Sequence, residues 1–310
     1  MLHDPPATRT GGLTRQELAL IGITVLWGAT YLVIHVAVQH SGPWFFVGLR
    51  FLCAAAISAL VFARSLRGIR RRELCAGAAI GVMICGGYGL QTVGLQSISS
   101  STSAFITALF VPLVPLLQWV VLRHRPSGMA FFGVALAFGG LLLLADPGSV
   151  SFGLGPGEIV TVVSTVFISL EIILISLFAG RVDVRRVLVV QLLTAGLLSM
   201  AVMPVTGESP PPFSWVWLSA ALALGAATCL IQLAMNWAQR CVTPTRATLI
   251  YAGEPVWAGV IGRVAGERLP AVALVGAALI VAGAVVSELT PRQAARSRDS
   301  SASFASRPPM

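Results

Sequence analysis

Tyr251-Ala252-Gly253-Glu254-Pro255 stands inside an apolar stretch, Val242–Glu288, that is long enough to cross a bilayer. Its reading decides the fold. An ionised carboxyl group in hydrocarbon costs several kcal/mol unless a partner or water offsets it. A proline beside it removes a helix hydrogen bond and leaves a carbonyl free, so the backbone there needs a protein-lined or watery setting. Glu254 and Pro255 together therefore mark a position inside a membrane where other segments must gather.

The rest of the chain fits that setting. Of 310 residues, 56% are hydrophobic and 11% charged, against about 25% charged in a soluble domain. Mean hydropathy is +0.84. The net charge of +9 would suggest nucleic acid in a soluble protein, but here the 21 basic residues, all arginine, fall largely in short loops and the two terminal segments. In that position they report orientation, and no nucleic-acid partner is expected. The five cysteines (Cys53, Cys75, Cys85, Cys229, Cys241) lie in or beside apolar runs without a CxxC pair. They read as small buried residues, and neither a metal site nor a cofactor is called for.

Apolar runs near the span length of roughly 20 residues predict about ten transmembrane helices. They are Leu18–Val38, Pro43–Ala63, Leu74–Leu95, Ser101–Leu122, Gly128–Ala145, Pro156–Ala179, Val184–Pro204, Trp215–Ala238, Thr243–Ala265 and Ala271–Ser287. Residues 1–17 read as a disordered cytoplasmic leader and 289–310 as a disordered cytoplasmic tail. Arginine bias sets the orientation. Arg64, Arg67, Arg70, Arg71 and Arg72, then Arg123 and Arg125, then Arg181, Arg185 and Arg186, then Arg240 and Arg246 occupy alternate loops. Asp146, Glu158, Glu208 and Glu267 occupy the others, with Arg268 the exception. Both termini are expected in the cytoplasm, with the chain in the inner membrane.

The fourth and fifth spans repeat in the ninth and tenth. At the offset that takes Pro112 to Pro255, Thr102 meets Thr245, Ala104 meets Ala247 and Arg125 meets Arg268. Gly133 then meets Gly276, Leu136 meets Leu279 and Gly140 meets Gly283. Five spans per half is an odd number, so the halves 18–145 and 156–288 are expected to insert upside down to one another. Inverted repeats with a site between them are a recurring build of secondary transporters.

The order of several motifs resembles the EamA branch of the drug/metabolite transporter superfamily. In the first half these are Leu26-Trp27-Gly28, Leu49-Arg50-Phe51, and Ser103-Ala104-Phe105 leading to Val111-Pro112. In the second they are Asn236-Trp237-Ala238-Gln239, Pro244-Thr245-Arg246-Ala247, Glu254-Pro255-Val256, Gly266-Glu267-Arg268-Leu269 and Gly276-Ala277-Ala278-Leu279-Ile280. The resemblance runs from Leu18 to Glu288. It implies an all-α integral membrane fold of two inverted five-helix repeats around a central cavity, and movement of small metabolites, amino acids or drugs, often outward. Substrate identity does not follow from it.

Glu254 and Glu171, both within spans, are the first candidates for substrate binding or coupling. Glu171 lies outside the motif set, where selectivity would be expected to reside. Trp27, Tyr88, Gln91 and Tyr251 join them, because mid-span polar groups need partners or water. Aromatic rings among them can stack on an organic cation. Pro112, Pro255, Arg50, Arg263 and Glu267 are structural or gating candidates. Arg50 is expected to snorkel, the alternative being a partner for a carboxylate or for an anionic substrate. Arg263 and Glu267, one helical turn apart, are expected to pair. His35 is expected to make an interfacial hydrogen bond. Gly77 with Gly81, and Gly262 with Gly266, have the spacing of close helix contacts, and Gly86-Gly87-Tyr88-Gly89 is read the same way.

The expected function is a secondary transporter, and an exporter, working by alternating access on a small solute, with proton coupling or exchange as drive. No Walker loop is present to use ATP. An intramembrane enzyme is the alternative, although the sequence has no HExxH or GxSxG and its four histidines are scattered. A channel or scaffold subunit is the third class. Partners are the small-molecule substrate and the lipid bilayer, with a homodimer left open.

Overall fold

The computed structural model describes residues 14–122, 128–144 and 154–288. Residues 1–13 of the expected leader, the tail from 289, and the loop residues Arg123, Arg125 and Asp146 lie outside them. Thr14 to Glu17, also read as leader, instead form the cap and first turn of a helix, because Thr14 and Glu17 bond each other's backbone N–H. The described chain folds into α1 (Arg15–Val38), α2 (Pro43–Val61), α3 (Ala63–Leu66), α4 (Arg71–Gly94), α5 (Ser100–Thr107), α6 (Phe110–Leu122) and α7 (Gly128–Leu144). Then follow α8 (Pro156–Phe178), α9 (Val184–Val205), α10 (Trp215–Ala238), α11 (Pro244–Tyr251), α12 (Glu254–Val264) and α13 (Ala271–Glu288). Seven helical stretches are apolar and long enough to cross a membrane. With α7, α11–α12 and α13, they make the ten crossings expected, in a multi-pass membrane protein. Large apolar side chains such as Val120, Leu197 and Leu274 are exposed on the outside of the bundle, where the bilayer supplies the solvent.

Two expected spans are not continuous. The fourth breaks at Ala108-Leu109 into α5 and α6, and the ninth breaks at Ala252-Gly253 into α11 and α12. The prolines sit just past the breaks, Pro112 as the third residue of α6 and Pro255 as the second of α12. A proline is tolerated in the first turn of a helix because the N–H it lacks has no intrahelical acceptor there. Each proline therefore starts a new helix instead of bending an old one. The second span is also shorter than expected, ending at Val61, with α3 following as one separate turn.

Hydrogen bonds locate the two ends of the bundle. At one end Glu208, after α9, accepts from the backbone N–H groups of Trp44 (3.0 Å) and Phe45 (2.8 Å) at the start of α2. There too His35 on α1 meets the Leu95 carbonyl past α4, at 2.9 Å. At the other end Arg186 on α9 donates to the Ser65 carbonyl (2.8 Å), and Ser176 on α8 donates to Gln239 after α10 (3.0 Å). Arg64, Arg67, Arg70, Arg71, Arg72, Arg181, Arg185 and Arg240 are exposed at this second end, called here the Asp183 end. Arg263 and Arg268 are exposed at the Glu208 end.

Helix packing follows a pattern of exchange. α7 packs on α13, α2 on α9, and α5 on α12. α4 packs on α8 and α9, while α10 packs on α1 and α2. Swapping the first five crossings for the last five maps this set of contacts onto itself. The repeated glycines mark the closest approach. A Cβ on Gly140 would lie 2.5 Å from the Gly276 carbonyl oxygen, and one on Gly283 would lie 2.5 Å from that of Gly133. Backbone meets backbone there, which only glycine permits. Gly77 and Gly81 likewise face Val190, Gln191 and Thr194 on α9, and Gly86 and Gly87 face Phe167 and Ile168 on α8. Gly266 differs: its φ of +97° ends α12 in the left-handed region.

Candidate functional site

The break before α12 places Glu254 at the start of a helix deep in the bundle, 1% exposed. Free backbone N–H groups at a helix start favour an acidic side chain. Tyr31 on α1 donates to one Glu254 carboxyl oxygen at 2.6 Å. Gln91 on α4 donates to the Tyr31 hydroxyl and to the Thr107 hydroxyl on α5, each at 3.1 Å. The second oxygen, Oε2, has no hydrogen-bond partner among the described residues. One acid thus draws together four crossings, and half of its acceptor capacity is left over.

Glu171 on α8 repeats the arrangement nearer the Asp183 end. It is 0% exposed, and one oxygen accepts from Gln232 on α10 at 2.7 Å. Gln191 on α9 donates to the side-chain Oε1 of Gln232 at 2.8 Å, and Asn236 donates to Gln191 at 3.3 Å. Glu171 Oε2 again lacks a partner among the described residues. Among the described residues no arginine pairs with either acid. The one ion pair among the described residues, Arg186 with Glu73 at 3.6 Å, lies at the Asp183 end.

Between the two acids runs a ladder of rings. Trp27 stacks on Tyr88 with centroids 6.4 Å apart and meets Tyr251 edge-on at 5.7 Å. Phe51 meets Tyr88 at 5.4 Å, and Phe110 meets Tyr251 at 6.4 Å. Tyr251 also accepts a hydrogen bond from Gln239 at 3.2 Å. Arg50 closes the ladder, with its guanidinium carbon 5.4 Å from the Phe51 ring centre and 5.7 Å from that of Tyr88. Its Nε donates to the Thr228 hydroxyl on α10 at 2.7 Å.

All six residues expected to bind substrate or couple its movement (Glu254, Glu171, Trp27, Tyr88, Gln91, Tyr251) are buried in this interior. Two expectations need correction. Arg50 does not snorkel; at 2% exposed it keeps its charge inside the bundle, because Thr228 and the two rings receive it there. Arg263 and Glu267 do not pair. Glu267 turns instead to the start of α5, accepting from the N–H groups of Ser100 and Ser101 (3.0 Å each) and from both hydroxyls. Unfilled donors of a helix N-terminus outbid an exposed arginine.

The polar relay of Gln191 and the supporting hydroxyls of Thr107 and Thr228 went unread in the sequence. Gln191 carried a usable signal, being a lone amide within Val187-Leu188-Val189-Val190-Gln191-Leu192, just as Gln91 is in its own span. A threonine in a membrane helix carries none, since it bonds its own backbone equally well.

The model of the EamA-like transporter family matches this chain twice, over residues 14–145 and 155–289. The chain belongs to the EamA-like transporter family. Among EamA relatives, an uncharacterized transporter of Archaeoglobus fulgidus is 27% identical over 88% of this chain and 85% of its own length. The uncharacterized inner membrane transporter YedA of Escherichia coli K12 is 28% identical over 87% of this chain and 90% of its own. A solved crystal structure, 21% identical, superposes with a TM-score of 0.64 over 90% of this chain and 99% of that one. That likeness concerns the fold alone. The two EamA segments meet where residues of both converge, since Tyr31 and Gln91 come from the first and Glu254 from the second.

Proposed function

We propose that this membrane transporter is a secondary carrier that exports a small solute by alternating access. In this reading the two five-helix halves are inverted copies, and they rock about an interior site holding Glu254 and Glu171. The observation that carries it is the pair of fully buried carboxyl groups, each bonded through one oxygen and, among the described residues, unfilled at the other. Such groups are a standing cost in an apolar interior and are retained where a proton or a solute engages them. Broken helices at matched places in the two halves support the same reading, because discontinuous crossings line transporter sites.

The concentration of arginines at the Asp183 end supports placing that end, and both termini, in the cytoplasm of a cell with the chain in its inner membrane. At the opposite end Glu208 and Glu267 tie α2 and α5 to the other half, so this conformation is taken as closed outward. Glu254 is assigned the coupling role. In inside-out vesicles Glu254→Gln is expected to abolish proton-gradient-driven uptake while leaving solute exchange in place. Unchanged gradient-driven uptake in that variant would remove Glu254 from coupling. Saturable flux stimulated by solute on the far side separates this carrier from a channel.

A further inference from the structure

A groove at the Asp183 end lies apart from the acids and rings of the interior. It encloses about 660 Å³ between the end of α2, the start of α9 and the last turns of α10. Its apolar wall is Leu230, Leu233, Ala234 and Trp237, whose spacing puts them on one face of α10. That face runs for about two turns, roughly 10 Å, from the Asp183 end towards the middle of the bilayer. Leu230 is 56% exposed and Trp237 41%, so the wall is open to the membrane.

The head of the groove is basic. Arg185 and Arg240 line it together with Asp183 and Phe62. The Arg185 guanidinium carbon stands 5.9 Å from the centre of the Phe62 ring. Arg240 is steadied by donating to the Val182 carbonyl at 3.1 Å. Among the described residues neither arginine pairs with an acid, and the Arg185 side chain makes no hydrogen bond. Asp183 is otherwise engaged: it accepts from the Arg185 backbone N–H at 2.9 Å, which caps α9. A second hollow of about 490 Å³ shares Phe62 and Arg185 with the first and adds Arg64.

A basic head above an apolar wall that descends into hydrocarbon has the build of a phospholipid site. Guanidinium groups take phosphate oxygens in pairs. A choline or ethanolamine headgroup would bring its own cation against two arginines that no acid neutralises, whereas a glycerol headgroup would not. We infer that this groove holds an anionic phospholipid, its phosphate bound by Arg185 and Arg240 and an acyl chain laid along the α10 face. Arg64, in the neighbouring hollow, adds to the field that favours a negative headgroup. Phe62 comes from the first half of the chain and the α9 and α10 residues from the second, so the lipid also joins the halves at this end. The inference needs only the membrane setting and is independent of which solute is carried.

The test measures lipid bound to purified, delipidated full-length protein in detergent by native mass spectrometry. Its probes are phosphatidylglycerol and phosphatidylcholine with identical acyl chains. Phosphatidylglycerol is expected to bind about fivefold or more tighter, a comparison that needs no variant. Arg185→Gln together with Arg240→Gln should bring it to the level of phosphatidylcholine, and Arg185→Gln alone should lower it part of the way. Arg67 and Arg181 are exposed at the same end and line neither hollow, so Arg67→Gln with Arg181→Gln should leave the preference unchanged. Ala234→Trp, which fills the wall, should weaken both lipids. Excess glycerol 3-phosphate should not displace phosphatidylglycerol, because it has no chain for the α10 face. The site is overturned if the two lipids bind equally, if the preference survives in a monodisperse protein lacking both Arg185 and Arg240, or if the control pair abolishes it as well. Displacement by glycerol 3-phosphate would make this a site for a soluble phosphate and would equally overturn the lipid.

Discussion

Glu171 and Gln232 illustrate how much one buried hydrogen bond can matter. Gln232 is donor to Glu171 and acceptor from Gln191, so Gln232→Leu strands both neighbours at once. Each group left unfilled costs about 1–3 kcal/mol. Thermal unfolding in detergent should show this variant destabilised by roughly that amount or more, whereas Glu171→Gln, which removes a buried acid but keeps an acceptor, should cost less. Equal losses would mean that the relay is not what holds the acid. At this scale much was legible. An acid inside an apolar run is conspicuous, and so is a lone tyrosine or glutamine, which is how Glu254, Glu171, Tyr88 and Gln91 could be picked out. What they touch was not legible. Tyr31 finds Glu254 across 223 residues of chain, and nothing in local spacing points to that partner. Arg50 was misread because snorkelling is decided by what lies inside, and Thr228 and Tyr88, unlike the adjacent Phe51, become its neighbours only once α2, α4 and α10 have packed.

Among the elements, the glycine contact of α7 with α13 gives a prediction with its own control. Gly140→Ala would press a methyl group into the Gly276 backbone, while Gly139, one residue earlier in the same helix, has nothing within 4 Å of an added Cβ. Gly140→Ala should destabilise by about 1–3 kcal/mol, and Gly139→Ala should be neutral or slightly stabilising, both read from thermal unfolding. The loop acid Glu267 gives a pH dependence. Burial pushes its carboxyl up, but the hydrogen bonds from Ser100 and Ser101 outweigh that and hold it below its ordinary value of 4.5. A lowered value in the folded protein means that its contribution is complete above about pH 4.5 and fades as pH falls through the lowered value. The stability difference between wild type and Glu267→Gln should therefore shrink on acidification below that point; a difference that stays constant would contradict the capping role. The prolines made two crossings look special in sequence. Both crossings read as continuous in hydropathy, although each break begins about one turn before its proline, at Ala108 and Ala252, near where the missing N–H leaves a carbonyl without its helical donor.

For the whole molecule, ten crossings and the repeated glycines could be read from hydropathy and from one fixed offset, because both are local or periodic properties of the chain. The exchange pattern of contacts could not, since it joins α4 to α9 and α2 to α10 across the two halves. Its consequence is that neither half encloses the acids alone, and in the proposed cycle a relative rotation of the halves would change which end of the bundle they face. Ala252 lies in the break beside Glu254 and is 4% exposed. The most direct measurement places a single cysteine there, Ala252→Cys, in full-length protein whose five native cysteines are replaced by serine, and follows labelling by a membrane-impermeant thiol reagent from each side of sealed vesicles. The account predicts labelling from either side, with conditions that raise it on one side lowering it on the other. Labelling from one side only under all conditions, or from both sides at once without such exchange, would contradict alternating access about these acids.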